Sequence, residues 1–91
     1  MVTAFVLINV QDKQIHELAE RLLTFEGITE LHLVAGEYDM LAVIRVSDNA
    51  DLSRLITQKV VPAPGVARTK TLFSLESFSP FDLAHLFGVS G

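Results

Sequence analysis

The stretch from Ile28 to Val46, ITELHLVAGEYDMLAVIRV, decides the fold because it places a short turn between two apolar runs. Ile28 to Ala35 and Met40 to Val46 have the composition of strands, and Arg45 is the one charge in the second run. The intervening Gly36-Glu37-Tyr38-Asp39 is typical of a turn, since glycine adopts backbone conformations that other residues avoid. The stretch therefore predicts an antiparallel hairpin.

A strand and a helix are predicted on the amino-terminal side of this hairpin. Thr3 to Val10 is a nearly continuous apolar run, typical of a strand buried on both faces. Apolar residues then recur at helical spacing from Ile15 to Phe25. Asp12 is the expected cap of this helix, and Gly27 is its expected stop.

A second helix and a fourth strand are predicted after the hairpin. Ser47 or Asp48 can cap the helix, and Pro62-Ala63-Pro64-Gly65 ends it because proline cannot continue a helix. The apolar stripe of the helix comprises Leu52, Leu55 and Ile56. Val66 to Ser77 then reads as a long strand.

This order of elements predicts an α+β, ferredoxin-like βαββαβ fold, in which a four-stranded antiparallel sheet carries two helices on one face. The first and third strands are apolar on both sides, so the other face of the sheet needs a cover. A second copy packed sheet to sheet supplies one, which predicts a symmetric homodimer.

The predicted domain covers residues 1–78, and residues 79–91 form a predicted helical tail. Ser79-Pro80-Phe81-Asp82 is typical of a helix start, with a cap followed by proline at the first helical position. The helix expected from Phe81 to Phe87 is short and largely apolar, so it needs a surface on its own domain or on a neighbour.

Composition narrows the functional classes. The chain has 91 residues, no cysteine and a formal net charge of −4, so disulfides are excluded and the basic footprint of a nucleic-acid-binding protein is missing. No apolar run approaches the roughly 20 residues of a membrane helix. The expectation is an unprocessed cytoplasmic protein that contacts neither membrane nor nucleic acid directly.

Two segments carry a resemblance to a known family. Gly36-Glu37-Tyr38-Asp39-Met40-Leu41 resembles a Gly-x-Tyr-Asp hairpin loop, and Pro64-Gly65-Val66-Ala67-Arg68-Thr69-Lys70-Thr71 resembles a Pro-Gly-Val then Thr-x-Thr entry to the last strand. Together they are similar to the effector-binding (RAM) domain of the Lrp/AsnC regulators. The resemblance covers nearly the whole chain.

The resemblance implies an amino-acid-sensing module that takes part in regulating amino-acid metabolism. The family usually carries a helix-turn-helix domain before this module, and because this sequence starts at the first strand, the stand-alone form is expected. The family implies dimers that assemble into rings, with the effector between neighbouring dimers. A full-length Lrp/AsnC regulator is a further possible partner.

The hairpin loop is the predicted effector site. Backbone N–H groups of a glycine-containing loop can bind a carboxylate, Asp39 can accept from an ammonium, and Tyr38 offers a ring and a hydroxyl. The predicted effector-binding residues are Gly36, Glu37, Tyr38, Asp39 and Met40, with Thr69 and Thr71 as secondary candidates. A structural interpretation stays open, because Asp often bonds backbone in turns and Thr is a good strand former.

Other functions remain alternatives. Ferredoxin-like dimers include small enzymes with a buried cavity, for which His32 or Tyr38 would be the candidate, and a co-assembly partner of a family regulator is a third possibility. The ACT amino-acid-binding domain has a similar fold, but its glycine-containing loop has no counterpart in Asn9-Val10-Gln11-Asp12. No catalytic residue, metal site or cofactor is predicted, since the histidines lack ligand spacing.

Overall fold

The computed structural model describes residues 1–12 and 14–80. The elements, in order, are β1 (Val2–Val10), α1 (Ile15–Leu23), β2 (Ile28–Leu33), β3 (Met40–Val46), α2 (Asn49–Arg54) and β4 (Val66–Phe73). α2 continues directly into a π-helical segment, Leu55–Val60. The four strands form one antiparallel sheet in the order β2-β3-β1-β4. The ferredoxin-like α+β fold predicted from the order of elements is confirmed.

The core lies between one face of the sheet and the two helices. On β1, Ala4, Val6 and Ile8 alternate along this face and are fully buried. Their partners on β3 are Ile44, Ala42 and Met40, which are also fully buried. The helices contribute Leu18, Leu22, Leu52 and Leu55. Each such leucine contributes about 1.5–3 kcal/mol of burial, so this side of the sheet holds the domain together.

The opposite side of the sheet, which we call the open face, has an apolar centre that neither α1 nor α2 covers. It comprises Phe5, Leu7, Leu41, Val43 and Leu72, as the strand register shows. Leu72 is 45% exposed. Polar side chains border this centre: Glu30 and His32 on β2, and Arg68 and Lys70 on β4. An apolar centre within a polar margin is the usual composition of a protein–protein interface.

The two helices begin differently. Asp48 caps α2, because its Oδ1 accepts from the backbone N–H of Asp51 at 2.8 Å. The expected cap of α1 is wrong: the capping position is Gln14, which makes no side-chain cap bond. Asp12 instead has φ +57°, a left-handed conformation that Asp tolerates in tight turns. α1 also ends at Leu23, before the glycine expected to stop it.

Two strands are shorter than their sequences predict, because strand length is limited by the neighbour. β2 ends at Leu33, where it pairs with Met40, the first residue of β3. β4 was predicted to run to Ser77 but ends at Phe73, opposite Ala4, and only Ser74 adds one more bond, to the carbonyl of Thr3. Beyond that point β1 has almost no backbone left to pair.

The predicted helix from Phe81 to Phe87 lies outside the described residues. The segment leading towards it is described as far as Pro80, and it presents Leu75 and Phe78 with 94% and 64% of their surface exposed. None of the helices within residues 1–12 and 14–80 is long and apolar enough to cross a membrane.

Candidate functional site

Three chain segments meet at the end of the sheet where β1 finishes. The loop between β2 and β3 contacts the end of β1, where its Asp39 N–H donates to the Ile8 carbonyl at 3.0 Å. The turn before β4 joins the same end, since the Gln11 N–H donates to the Gly65 carbonyl at 2.8 Å. Residues far apart in sequence therefore come together around the predicted loop.

Asp39 fixes the shape of the loop. Its Oδ2 accepts from the Val10 N–H at 2.8 Å, and its backbone carbonyl accepts from the Val34 N–H at 3.0 Å. One carboxylate oxygen is thus engaged across 29 residues of sequence, by the neighbouring strand and not by the turn itself. The predicted role of Asp39 as partner of an effector ammonium stays a prediction, and its structural role is now defined.

Asn9 connects the loop to β4. With its amide nitrogen facing the loop, Asn9 donates to the Glu37 carbonyl at 3.0 Å and accepts from Arg68 Nη2 at 3.0 Å. Asn9 and Arg68 are register partners on the open face, so the arrangement follows from strand pairing. The amide of Asn9 thereby holds an exposed guanidinium beside the glycine-containing loop.

The sequence did not identify Asn9 and Arg68 as site residues. Asn9 is the only polar residue among Phe5 to Val10, and that position in an apolar strand was the available signal. Arg68 lies between residues of the Pro-Gly-Val and Thr-x-Thr motifs. Only the pairing of β1 with β4 reveals that the two side chains meet.

The other loop residues differ in accessibility. Gly36 has φ +142°, a conformation that strains L side chains, and a Cβ built on it would meet no atom within 4 Å. Glu37 is exposed and Tyr38 is half-buried. Met40 is fully buried in the core, so its side chain is not available to a surface ligand and only its backbone borders the loop.

Thr69 and Thr71 lie on the helix-facing side of β4, opposite to the side on which Arg68 lies. Thr69 pairs with Ile8 and Thr71 pairs with Val6, and both residues of β1 point into the core. Thr71 lines a groove between β4 and α2. The structure therefore brings the hairpin loop together with Asn9 and Arg68, and it separates the two threonines from that group.

A cleft of about 640 Å³ lies at the opposite end of the sheet, lined by residues such as Gly27, Val46 and Leu55. Its two arginines have partners: Arg45 Nη1 donates to Thr29 Oγ1 at 2.8 Å, and Arg54 bonds Asp51. The Lys59 ammonium lies 5.9 Å from the centre of the Phe25 ring. We favour the loop site, because Gly36–Asp39 is the predicted effector loop and the Arg68 guanidinium lies beside it.

His32, one of the two candidate enzyme residues, and Arg45, the one charge of β3, lie in surface pairs with Glu30. His32 Nε2 is 3.7 Å from Glu30 Oε1, and the His32 side chain is 55% exposed on the open face. Arg45 Nη1 is 3.8 Å from Glu30 Oε2. Across the residues that the structure describes, no group of three His, Asp or Glu side chains could hold a metal ion. The enclosed histidine that a cavity enzyme requires is not found at His32.

The loop site combines groups of both charges within a small area. Arg68 supplies a planar cation suited to a carboxylate, and Glu37 supplies an exposed anion on the same loop. The backbone at Gly36 is open to approach. This arrangement can bind a small zwitterion, and none of its residues is placed as a nucleophile with an adjacent base.

Comparison with known proteins agrees with the resemblance seen in the sequence. Residues 3–82 match the family model of the Lrp/AsnC ligand binding domain. An uncharacterized HTH-type transcriptional regulator of Pyrococcus horikoshii is 37% identical over 75 residues, a match covering 79% of this chain and 50% of that protein. The chain thus spans about half the length of the curated relatives it matches.

Solved structures show the same fold. The protein TTHA0845 of Thermus thermophilus superposes with a TM-score of 0.80 at 33% identity, covering 87% of this chain and 99% of that one. A feast or famine regulatory protein of M. tuberculosis, complexed with L-methionine, superposes with a TM-score of 0.74 at 29% identity, over 87% of this chain and 53% of that one. With the match to the family model, these similarities establish that the chain belongs to the Lrp/AsnC ligand-binding domain family.

Proposed function

We propose that this protein is a non-enzymatic sensing module that binds a free amino acid at the Gly36–Asp39 loop. The observation that carries the proposal is the Asn9 amide, which holds the Arg68 guanidinium 3.0 Å away while donating to the Glu37 carbonyl at the same distance. Membership of a family of ligand-binding domains supports it, as does the methionine complex of a relative.

Both ends of a free amino acid find a partner in this site. The effector carboxylate pairs with Arg68 and with backbone N–H groups near Gly36. The ammonium pairs with Glu37 or with the carboxylate oxygen of Asp39 that Val10 leaves free. Tyr38 is half-buried beside them and offers a ring to the effector side chain.

The position of the site couples binding to assembly. Asn9 and Arg68 lie at the margin of the open face, so a second copy packed on that face would approach the site. An effector held between copies stabilises the assembled form, and assembly in turn raises affinity for the effector, because linkage is reciprocal. The regulatory output of the module would follow from this coupling, in dimers or in larger rings.

A thermal-shift screen against the common amino acids tests the proposal. An amino acid at 100 times its dissociation constant adds about 2.7 kcal/mol of stability, which raises the melting temperature of a small domain by more than 10 °C, on the order of 4–8 °C per kcal/mol. We expect one amino acid or a few chemically related ones to raise it. A panel without any shift at millimolar concentration contradicts the sensor function.

The assignment of the site needs its own control. In Arg68→Ala, we expect the shift caused by the active amino acid to disappear, while Lys70→Ala on the same side of β4 retains it. Both substitutions remove one exposed positive charge, so a general electrostatic effect would act on them equally. Equal shifts in the two variants would place the effector elsewhere without removing the sensing function.

A further inference from the structure

A second apolar feature lies on the helix-facing side of the domain, away from the effector loop. It is a groove of about 430 Å³ between α2 and β4. Its lining comprises Asn49, Leu52, Ser53, Ile56, Thr57, Thr71 and Phe73. Thr71 and Ile56 are half-buried, and Phe73 is 61% exposed, so the apolar floor and rim are still accessible to a further group.

The chain leaves the sheet beside this groove. Phe73 is the last residue of β4 and also part of the groove lining. Directly after it, Ser74 Oγ donates to the Glu76 carbonyl at 3.3 Å and lies 3.2 Å from Ser77 Oγ, so the backbone bends at once. The next residues expose Leu75 and Phe78 to solvent. An apolar chain segment thus starts at one end of an unfilled apolar groove.

We propose that the groove between α2 and β4 is the docking site of the carboxy-terminal segment Phe81 to Phe87 of the same chain. This segment has the apolar residues Phe81, Leu83, Ala84, Leu86 and Phe87, with Asp82 and His85 as its polar ones. Exposure of so many large apolar groups in water is unfavourable, so a segment of this composition requires a surface. The groove includes Phe73, the last residue of β4, so its apolar lining begins where the strand ends.

The length of the segment matches the length of the groove. Seven residues in the helix that the sequence predicts are about 10 Å long, and the groove wall from Asn49 to Thr57 spans about 12 Å of helix axis. Seven residues lie between Phe73 and Phe81, and the eight Cα–Cα steps can span at most about 28 Å, so the linker is long enough to reach across the groove. Ser79 and Pro80 are the predicted cap and first position of the helix, so the linker ends where that helix begins.

Docking within one chain is favoured over docking on a second copy. A short tether holds the segment at an effective concentration on the order of millimolar, and no translational freedom of a second molecule is lost. The groove and the open face lie on opposite sides of the sheet, so docking leaves the face proposed for dimerisation free. This inference does not depend on amino-acid binding.

Engineered disulfides test the proposal cleanly, because the chain has no cysteine of its own. Ser53→Cys changes a groove residue conservatively, and Ala84→Cys places a thiol in the segment. In the double variant we expect a disulfide within one molecule to form about tenfold faster than in the matched pair Glu20→Cys with Ala84→Cys, whose first thiol lies on exposed α1. Rates are read by mass spectrometry and non-reducing gels.

Three outcomes overturn the inference: equal rates for the two pairs, no disulfide in the groove pair, or disulfides mainly between molecules. A second measurement uses melting temperature. Leu83→Ser combined with Phe87→Ser should lower it by about 4–8 °C, the shift of a small domain that loses a modest apolar contact. Val89→Ser, beyond the segment, should leave it unchanged, and an unchanged melting temperature in the double variant contradicts docking.

Discussion

At the scale of single residues, two kinds of constraint shape the candidate site. Asp39 is bonded through its side chain and through both its backbone groups, so the loop is a structured part of the domain. Gly36 and Gly27 both have positive φ, but they differ in their surroundings. Gly36 lies in open space, whereas Gly27 packs closely against β3 and the helical segment after α2.

Removing the Asp39 carboxylate should weaken both the fold and the site. Asp39→Ala leaves the Val10 N–H without its acceptor, and we expect a loss of about 1–2 kcal/mol in the free energy of unfolding. Asp39→Asn keeps an acceptor oxygen and should lose less than half as much. Urea unfolding measures both. If effector binding requires the loop in this shape, Asp39→Ala also abolishes the ligand-induced thermal shift while the dimer survives.

The two glycines give a matched pair of substitutions. Gly36→Ala strains the backbone only, and we expect a cost of about 1 kcal/mol. In Gly27→Ala, the new Cβ would also lie 2.9 Å from Val46 Cγ1 and 3.0 Å from Leu55 Cδ2, so the loss should be clearly larger. Equal losses in denaturant unfolding would show that the packing around Gly27 relaxes freely.

At the scale of elements, the start of the second helix follows from the local sequence, whereas its change to a π-helix does not. The Asp48 cap is readable from sequence, and its bond to Asp51 begins the helix. The change to π-helix at Leu55 is not readable from sequence. Val61 N–H bonds the Ile56 carbonyl at 2.9 Å in the wider turn, and Leu55 and Val60 of this segment are both buried.

Removing the Asp48 cap should destabilise the second helix. Asp48→Ala leaves a first-turn N–H without a partner, and we expect a loss of about 1 kcal/mol in the free energy of unfolding. Asp48→Ser retains an acceptor and serves as the control, with a loss of at most a few tenths of a kcal/mol. Thermal or urea unfolding of the unsubstituted protein and the two variants measures these losses. If Asp48→Ala is as stable as the unsubstituted protein, the cap does not contribute to stability.

At the scale of the whole molecule, the sheet has one side buried by α1 and α2 and an opposite side that these two helices leave uncovered. The open face carries five large apolar residues, and its margins carry Glu30 and His32 on one edge and Arg68 and Lys70 on the other. The candidate site borders this face, and the groove between α2 and β4 lies on the other. The proposed effector site therefore shares an edge with the face proposed for assembly, whereas the proposed docking groove lies on the opposite side of the sheet.

A charge in the centre of the open face should prevent self-association. We expect Leu72→Glu, at a position 45% exposed in the single chain, to fold normally and to sediment as a monomer. Gln58→Glu adds the same charge to an exposed position on the helical side and should leave the oligomer unchanged. Analytical ultracentrifugation distinguishes them. An intact dimer in Leu72→Glu would contradict sheet-to-sheet packing. Co-purification of the protein with a full-length Lrp/AsnC regulator would favour the alternative in which the two proteins assemble together.

By itself, the sequence determined the fold and the location of the loop. Alternating apolar runs, helical stripes, the Asp48 cap and the glycine-containing turn all reflect local geometry, so β3 and the order of elements could be predicted closely. The tertiary structure alone decided where β2 and β4 end, because a strand extends only as far as its partner. It alone joined Asn9 to Arg68 and turned Thr69 away from them, because these relations depend on the register between strands distant in sequence.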